Sequence, residues 1–179
     1  NPTRGTTHAN RMRRVDRWLT GTQASRLRRS PGGLPPLAVD LGFGATADTA
    51  GVLFTRGRAV HPGAELVGLV IDPDRVAAAA GHAREGLSFA VGGFEVPVDR
   101  PPTVLRAFNV LRQYDESDVP GIWALLCSAV DQDGVVVEGT CDELGRRAAW
   151  VALTRRGPET LTLSMRFDSF TRPSDVADR

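Results

Sequence analysis

The succession of apolar runs and breaks along this chain predicts an α/β fold: a mostly parallel sheet with helices on both faces and a C-terminal antiparallel hairpin. Two observations carry the prediction. Five short aliphatic runs, at 37–41, 65–71, 87–91, 103–110 and 135–139, alternate with helical or irregular stretches, the rhythm of strands joined by crossovers. Two further runs, 147–154 and 160–167, are separated only by a stretch around Arg155-Arg-Gly-Pro158. That is too little chain for a crossover and enough for a hairpin.

Taken in order, residues 1–9 show no periodicity and read as a flexible arm. From residue 10 to about 27, Met12, Val15, Trp18 and Leu19 make a narrow helical stripe with arginines on the other face. Ser30-Pro-Gly-Gly-Leu-Pro-Pro36 then connects to the first strand. The chain thus divides into an Arg-rich helical arm and linker over 1–36 and a domain over 37–179. In the first strand Leu37, Ala38, Val39 and Leu41 are apolar and Asp40 is acidic, and Gly42 and Gly44 mark a tight turn where side chains are excluded. Thr46 is expected to cap the helix that follows.

The second strand, 65–71, ends at Asp72-Pro73, and the alanine run at 77–80 predicts a helix over 74–83. The third strand opens into the loop Gly92-Gly-Phe-Glu-Val-Pro97, and the fourth runs out at Asn109. Ser117 or Asp118 is expected to cap a helix over 119–130 with Pro120 in its first turn. Asp131-Gln-Asp-Gly134 turns into the fifth strand. Ser174 is expected to cap a helix that is cut short at residue 179, with more chain following.

Composition narrows the function classes. At 179 residues, 41% apolar and 24% charged, the chain suits one domain with a core of its own. No apolar stretch approaches the roughly 20 residues of a membrane span, and no export signal opens the chain, so a cytoplasmic protein is expected. Cys127 and Cys141 with His8, His61 and His82 make no metal-ligand spacing, and no metal is expected. Charge is uneven. Residues 1–30 hold eight arginines against a single acid, Asp16, whereas the rest holds 14 of the 22 basic residues against 20 of the 21 acidic ones. The helical arm therefore either packs with a solvated basic face or offers Arg11, Arg13, Arg14 and Arg17 to an anionic ligand or nucleic acid.

A strand, a glycine turn and a helix N-terminus together form a nucleotide-sized cradle, because backbone N–H groups and the positive end of the helix dipole converge there. Asp72 ends the second strand, where an acid meets ribose hydroxyls in nucleotide-binding sheets.

These residues resemble the class I S-adenosylmethionine-dependent methyltransferase family, a Rossmann-like fold, over roughly residues 37 to 167. Asp40-Leu-Gly-Phe-Gly44 is similar to the family's first motif, and Asp72 matches the acid that holds the ribose. Gly92-Gly-Phe-Glu95 stands where the adenine loop falls, and Ala107-Phe-Asn-Val-Leu111 looks like the motif after the fourth strand. The resemblance implies S-adenosyl-L-methionine as cofactor, S-adenosyl-L-homocysteine as product, and Asp40, Gly42, Phe43, Gly44, Asp72, Pro73, Gly93, Phe94 and Asn109 as cofactor-binding residues. Ala45 stands where many members have a third glycine. Gly93 replaces an Asp that commonly meets adenine, which leaves that contact to the backbone of Phe94 or another side chain.

It implies transfer of a methyl group to a small molecule or an RNA, beside Tyr114, Glu138 and Asp142. Glu138 reads either as an acceptor-orienting group or base, or as a hydrogen-bonded structural acid, and Asp142 either lines the pocket or caps its turn. Two rival readings are a non-catalytic S-adenosylmethionine-binding module docking an anionic partner through the Arg-rich helix, and an NAD-dependent oxidoreductase.

Overall fold

The computed structural model describes residue 8, residues 10–169, and residues 171, 172 and 175. The arm expected over 1–9 lies outside these apart from His8, and so does Ser174 with the helix it was expected to cap.

Seven strands form one sheet in the order β3-β2-β1-β4-β5-β6-β7. They are β1 (Leu37–Leu41), β2 (Glu65–Val70), β3 (Leu87–Val91), β4 (Val104–Phe108), β5 (Val135–Cys141), β6 (Arg147–Thr154) and β7 (Gly157–Met165). The first five run parallel, with β1 between β2 and β4, and β5-β6-β7 is antiparallel. The predicted fold class is the observed one. All five residues of β1 and of β4 are buried, as strands covered on both faces must be.

The two faces are covered unequally. On one lie α1 (Arg13–Gly21), α2 (Ala24–Arg28), α3 (Asp48–Val60) and α4 (Pro73–Ala79), which bury Val15, Leu19, Leu27, Leu53 and Phe54 against Ala38, Val104 and Val137. On the other, α5 (Val119–Ala129) packs Leu126 against Val39, Leu105 and Val136. Leu19, Leu53 and Leu126 are almost fully enclosed, each contributing about 1.5–3 kcal/mol by burial. No helix among the described residues is long and apolar enough to cross a membrane.

The Arg-rich helix belongs to this core. Val15 and Leu19, four residues apart, face the sheet, while Arg13 and Arg17 are exposed on the opposite side. Arg14 fastens the helix by donating to the Gly145 carbonyl and the Ser164 hydroxyl, each at 3.0 Å. Arg11 donates from Nε to Cys141 Sγ at 3.3 Å.

Several boundaries differ from expectation for local reasons. Thr46 does not cap α3: Ala47 holds the N-cap position with no side-chain bond, and the Thr46 hydroxyl bonds Asp48 Oδ2 instead. The predicted helix over 74–83 begins at Pro73, because Asp72 caps it by accepting from the Asp74 amide at 3.0 Å, and a 3-10 turn, Ala80–His82, ends it. β7 starts at Gly157 rather than 160. Pro158 is admitted because β7 is an edge strand and a bulge at Ala152/Leu153 falls opposite it, where no ladder donor is required.

Candidate functional site

β1 and β4 form the switch point of the sheet, where the crossovers leave to opposite faces. Gly42 and Gly44 both have positive φ, 72° and 91°, so the turn after β1 has the backbone predicted for it. A Cβ at Gly42 would lie 2.6 Å from Val110 Cγ2. Its glycine is needed for close approach to the loop after β4 rather than for access by a ligand. Gly42→Ala is therefore expected to destabilise the protein by about 1–3 kcal/mol, from the left-handed backbone plus overpacking; an unchanged urea midpoint would overturn the fit of these two loops.

At the end of β2 the Asp72 side chain is 40% exposed, although one oxygen caps α4 and the other lies 3.4 Å from Arg75 Nε. Beside it Ile71 is 74% exposed, an aliphatic side chain left bare at a strand tip. A Cβ added at Gly93 would lie 3.4 Å from Ile71 Cγ2, so the third strand's loop abuts this spot. Phe94 stands over Tyr114, ring centres 5.2 Å apart and tilted by 59°, and Tyr114 is itself 45% exposed. Ile71 and Gly93 thus meet at the tips of β2 and β3, with the half-exposed Asp72 carboxylate next in the chain, and Phe94 carries the contact on to Tyr114 in the loop after β4. Pro73, in the first turn of α4, is exposed next to them.

Other residues expected in the site are turned elsewhere. Asp40 is buried, and both its oxygens are taken by Arg106, Nε–Oδ1 at 2.9 Å and Nη2–Oδ2 at 2.7 Å. Its side chain lies on the α1–α3 face of the sheet, since residues alternate along β1. Phe43 is a core residue, edge-on to Phe89 at 5.2 Å; Gly68 leaves room for this pair, since a Cβ there would lie 2.6 Å from Phe89. Asn109 has φ +59° and turns its amide onto the end of β5, accepting from the Cys141 N–H at 3.1 Å. Asp142 accepts from the amides of Leu144, Arg146 and Arg147, so it caps the β5–β6 turn. Asp40, Asn109 and Asp142 have each found a backbone or ionic partner near a strand end, as buried polar groups must.

Glu138 is half-buried on the α5 face, level with Ala107 in β4. Burial pushes its carboxyl above the ordinary range, and the Trp123 indole N–H opposes the shift. That N–H stands near the carboxylate without forming a well-aligned hydrogen bond. A proton is held here to higher pH than on an exposed acid.

No protein-family model matches the sequence, and no curated protein matches it. Solved structures do match in fold. The magnesium protoporphyrin IX methyltransferase ChlM from Synechocystis PCC 6803, solved with S-adenosylhomocysteine, superposes with a TM-score of 0.53 at 19% identity, over 74% of this chain and 55% of that one. The plantazolicin methyltransferase BamL, solved with a triazolic desmethylPZN analog and S-adenosylhomocysteine, gives 0.55 at 14%, over 75% and 47%. A pericyclic reaction enzyme gives 0.50 at 19%, over 65% and 30%. The chain has the fold of these enzymes. It spans about half the length of the two methyltransferases.

A ligand of that class can be tested against this chain's own residues. A bare aliphatic side chain and a half-exposed carboxylate at the tip of β2, with Phe94 after β3 and Tyr114 after β4, are groups that could hold a nucleoside; Asp40, Phe43 and Asn109, committed to the interior, would act only through the backbone they support. The Gly93 N–H is not free to donate to a ligand, because it donates to Glu95 Oε1 at 2.9 Å. Two grooves lie apart from these residues. One of about 580 Å³ runs along α3 past Arg56, His82 and Arg84, and one of about 310 Å³ lies among Arg26, Arg29, Arg155 and Arg156.

Sequence reasoning missed Ile71 and Arg106. Ile71 closes the second aliphatic run like any strand residue, and only its 74% exposure marks it. Arg106 had a signal: a lone charge in the apolar run Val104-Leu-Arg-Ala-Phe108 of a strand predicted to be buried needs a partner.

Proposed function

We propose that this chain is an S-adenosylmethionine-binding domain of a methyltransferase, acting on a small molecule or an RNA. The observation that carries the reading is the group of side chains at the ends of β2 and β3, where the half-exposed Asp72 carboxylate follows the bare Ile71, Ile71 meets Gly93, and the next residue, Phe94, packs on Tyr114. The fold shared with ChlM and BamL supports it.

S-adenosylmethionine supplies a methyl group already activated on a sulfonium, so the protein's task is to bind, orient and exclude water. Asp72 would accept hydrogen bonds from the ribose hydroxyls, and Ile71 and Phe94 would sandwich the base. The turn at Gly42–Gly44 would present its backbone to the methionine part, stiffened from below by Asp40. Tyr114, packed on Phe94, would line the acceptor side. Glu138, with its carboxyl raised by burial, would take the proton of an acceptor that arrives protonated. For an RNA acceptor, Arg13 and Arg17 are the exposed cations of the N-terminal helix, whereas Arg11 and Arg14 donate to the protein's own groups.

Titration calorimetry with S-adenosylmethionine, S-adenosylhomocysteine and NADH tests the reading. Micromolar binding of the first two without the third is expected, and binding of NADH alone would replace it with a nicotinamide enzyme. Asp72→Ala should weaken S-adenosylhomocysteine by about 1–3 kcal/mol through unpaired hydroxyls, and an unchanged affinity would remove Asp72 from the site. An RNA acceptor predicts binding that falls steeply with salt.

A further inference from the structure

The sole acid among the first 30 residues, Asp16, is also the most thoroughly buried charge on α1, with no exposed surface. It meets a fully buried guanidinium, Arg106, through Nη1. Arg106 is a junction. Nε and Nη2 hold both oxygens of Asp40, two residues before Gly42, and Nη2 also donates to the Thr49 carbonyl in the first turn of α3 at 3.1 Å. Thr49 in turn donates its hydroxyl to the Phe43 carbonyl, inside the glycine turn, at 3.2 Å. A continuous line of bonds therefore runs from α1 through β4 and α3 to the backbone between Gly42 and Gly44.

We propose that Asp16 is a positioning residue for the glycine turn: by holding Arg106 from α1, it sets the placement of β1's end and of the Phe43 carbonyl, and hence how well the turn receives its ligand. The ligand part of this inference rests on the S-adenosylmethionine reading above; the conformational part does not. The geometry favours it over a purely stabilising contact. Arg106 spends three of its bonds on the strand–turn–helix unit and one on α1, and a planar guanidinium held at both ends cannot rotate without disturbing both. The Gly42 amide, bonded to the Leu69 carbonyl at 2.7 Å, reports the turn directly.

The test compares Asp16→Ala, which removes the hold on Arg106, with Asp16→Asn, which keeps an oxygen acceptor in its place. Two readouts are taken from folded protein. In the unliganded state, hydrogen exchange at Gly42 should accelerate about tenfold or more in Asp16→Ala and stay near the wild-type rate in Asp16→Asn, while the Leu105 amide in mid-strand β4 is unchanged in both. In calorimetry with S-adenosylhomocysteine, Asp16→Ala should bind about tenfold more weakly, with Asp16→Asn within about twofold of wild type. If wild type binds no S-adenosylhomocysteine, the cofactor reading fails and the exchange data alone decide the positioning role. Equal Gly42 exchange in Asp16→Ala and wild type, or acceleration matched at Leu105, overturns the proposal.

Discussion

Arg106→Met is expected to cost about 3–5 kcal/mol, the loss that follows when one partner of a buried ion pair is removed and the other charge stays behind. Here two carboxylates would be stranded, since Asp16 and Asp40 both rely on the same guanidinium and neither has a route to water. Against a typical folding free energy of about 5–15 kcal/mol, the variant should lose a large share of its stability and unfold at a markedly lower urea concentration. Urea denaturation by circular dichroism checks this. A loss below about 1 kcal/mol would mean that the carboxylates become protonated or hydrated without disturbing the sheet, and the junction would not be what joins α1 to β1. Arg106 itself is held firmly in its charged form, because the attraction of Asp40 and Asp16 outweighs the burial that opposes it.

The second large effect concerns pH. One arginine cannot satisfy two carboxylates, and Asp16 is the less well served: its Oδ2 is buried with no partner. Burial pushes its carboxyl from the ordinary 3.8 up to about 6, opposed chiefly by Arg106 on β4, with Asp40 on β1 raising it further and Arg56 on α3 lowering it. The folded value lies above the unfolded one, so the fold favours the protonated acid. That contribution is fully present below about pH 4 and is lost as pH rises through about 6.

Asp16→Asn cannot ionise and keeps the neutral state at every pH. Its stability relative to wild type should therefore improve by about 2 kcal/mol between pH 4.5 and pH 7.5. Whatever the amide costs or gains locally is the same at both pH values and cancels from this difference. Parallel urea titrations at the two pH values measure it. A constant difference between the proteins would show that Asp16 titrates like an exposed carboxyl.

Much of the fold was legible because it is written in local pattern. The runs at 37–41, 87–91 and 147–154 appear as β1, β3 and β6 with those limits, since a buried strand bounded by turn residues leaves little freedom in its ends. Boundaries slipped where a side chain had a choice of partner. Thr46 could have bonded the backbone of α3 and bonds Asp48 instead, while Asp72 serves as the cap of α4 as well as standing at the end of β2. A sequence shows which groups can make such bonds but not which of two nearby partners is closer.

The candidate site was legible in its outline and not in its orientations. Asp72, Gly93 and Phe94 stand at the strand ends expected for them, and Phe94 meets Tyr114 there. Asp40, Phe43, Asn109 and Asp142 occupy the predicted elements yet turn toward Arg106, Phe89, Cys141 and the β5–β6 turn respectively.

By itself the sequence determined the strand–helix rhythm, the hairpin, the glycine turn and the row of groups at the carboxyl edge, because periodicity, glycine and chain length act over a few neighbouring residues. Only the tertiary structure decided that Asp16, Asp40 and Arg106 form one buried junction. Those residues are 24 and 66 positions apart along the chain, and no local pattern couples them. Their meeting follows from the burial of all three in one low-dielectric interior, where an unpaired charge is costly enough to dictate its partners.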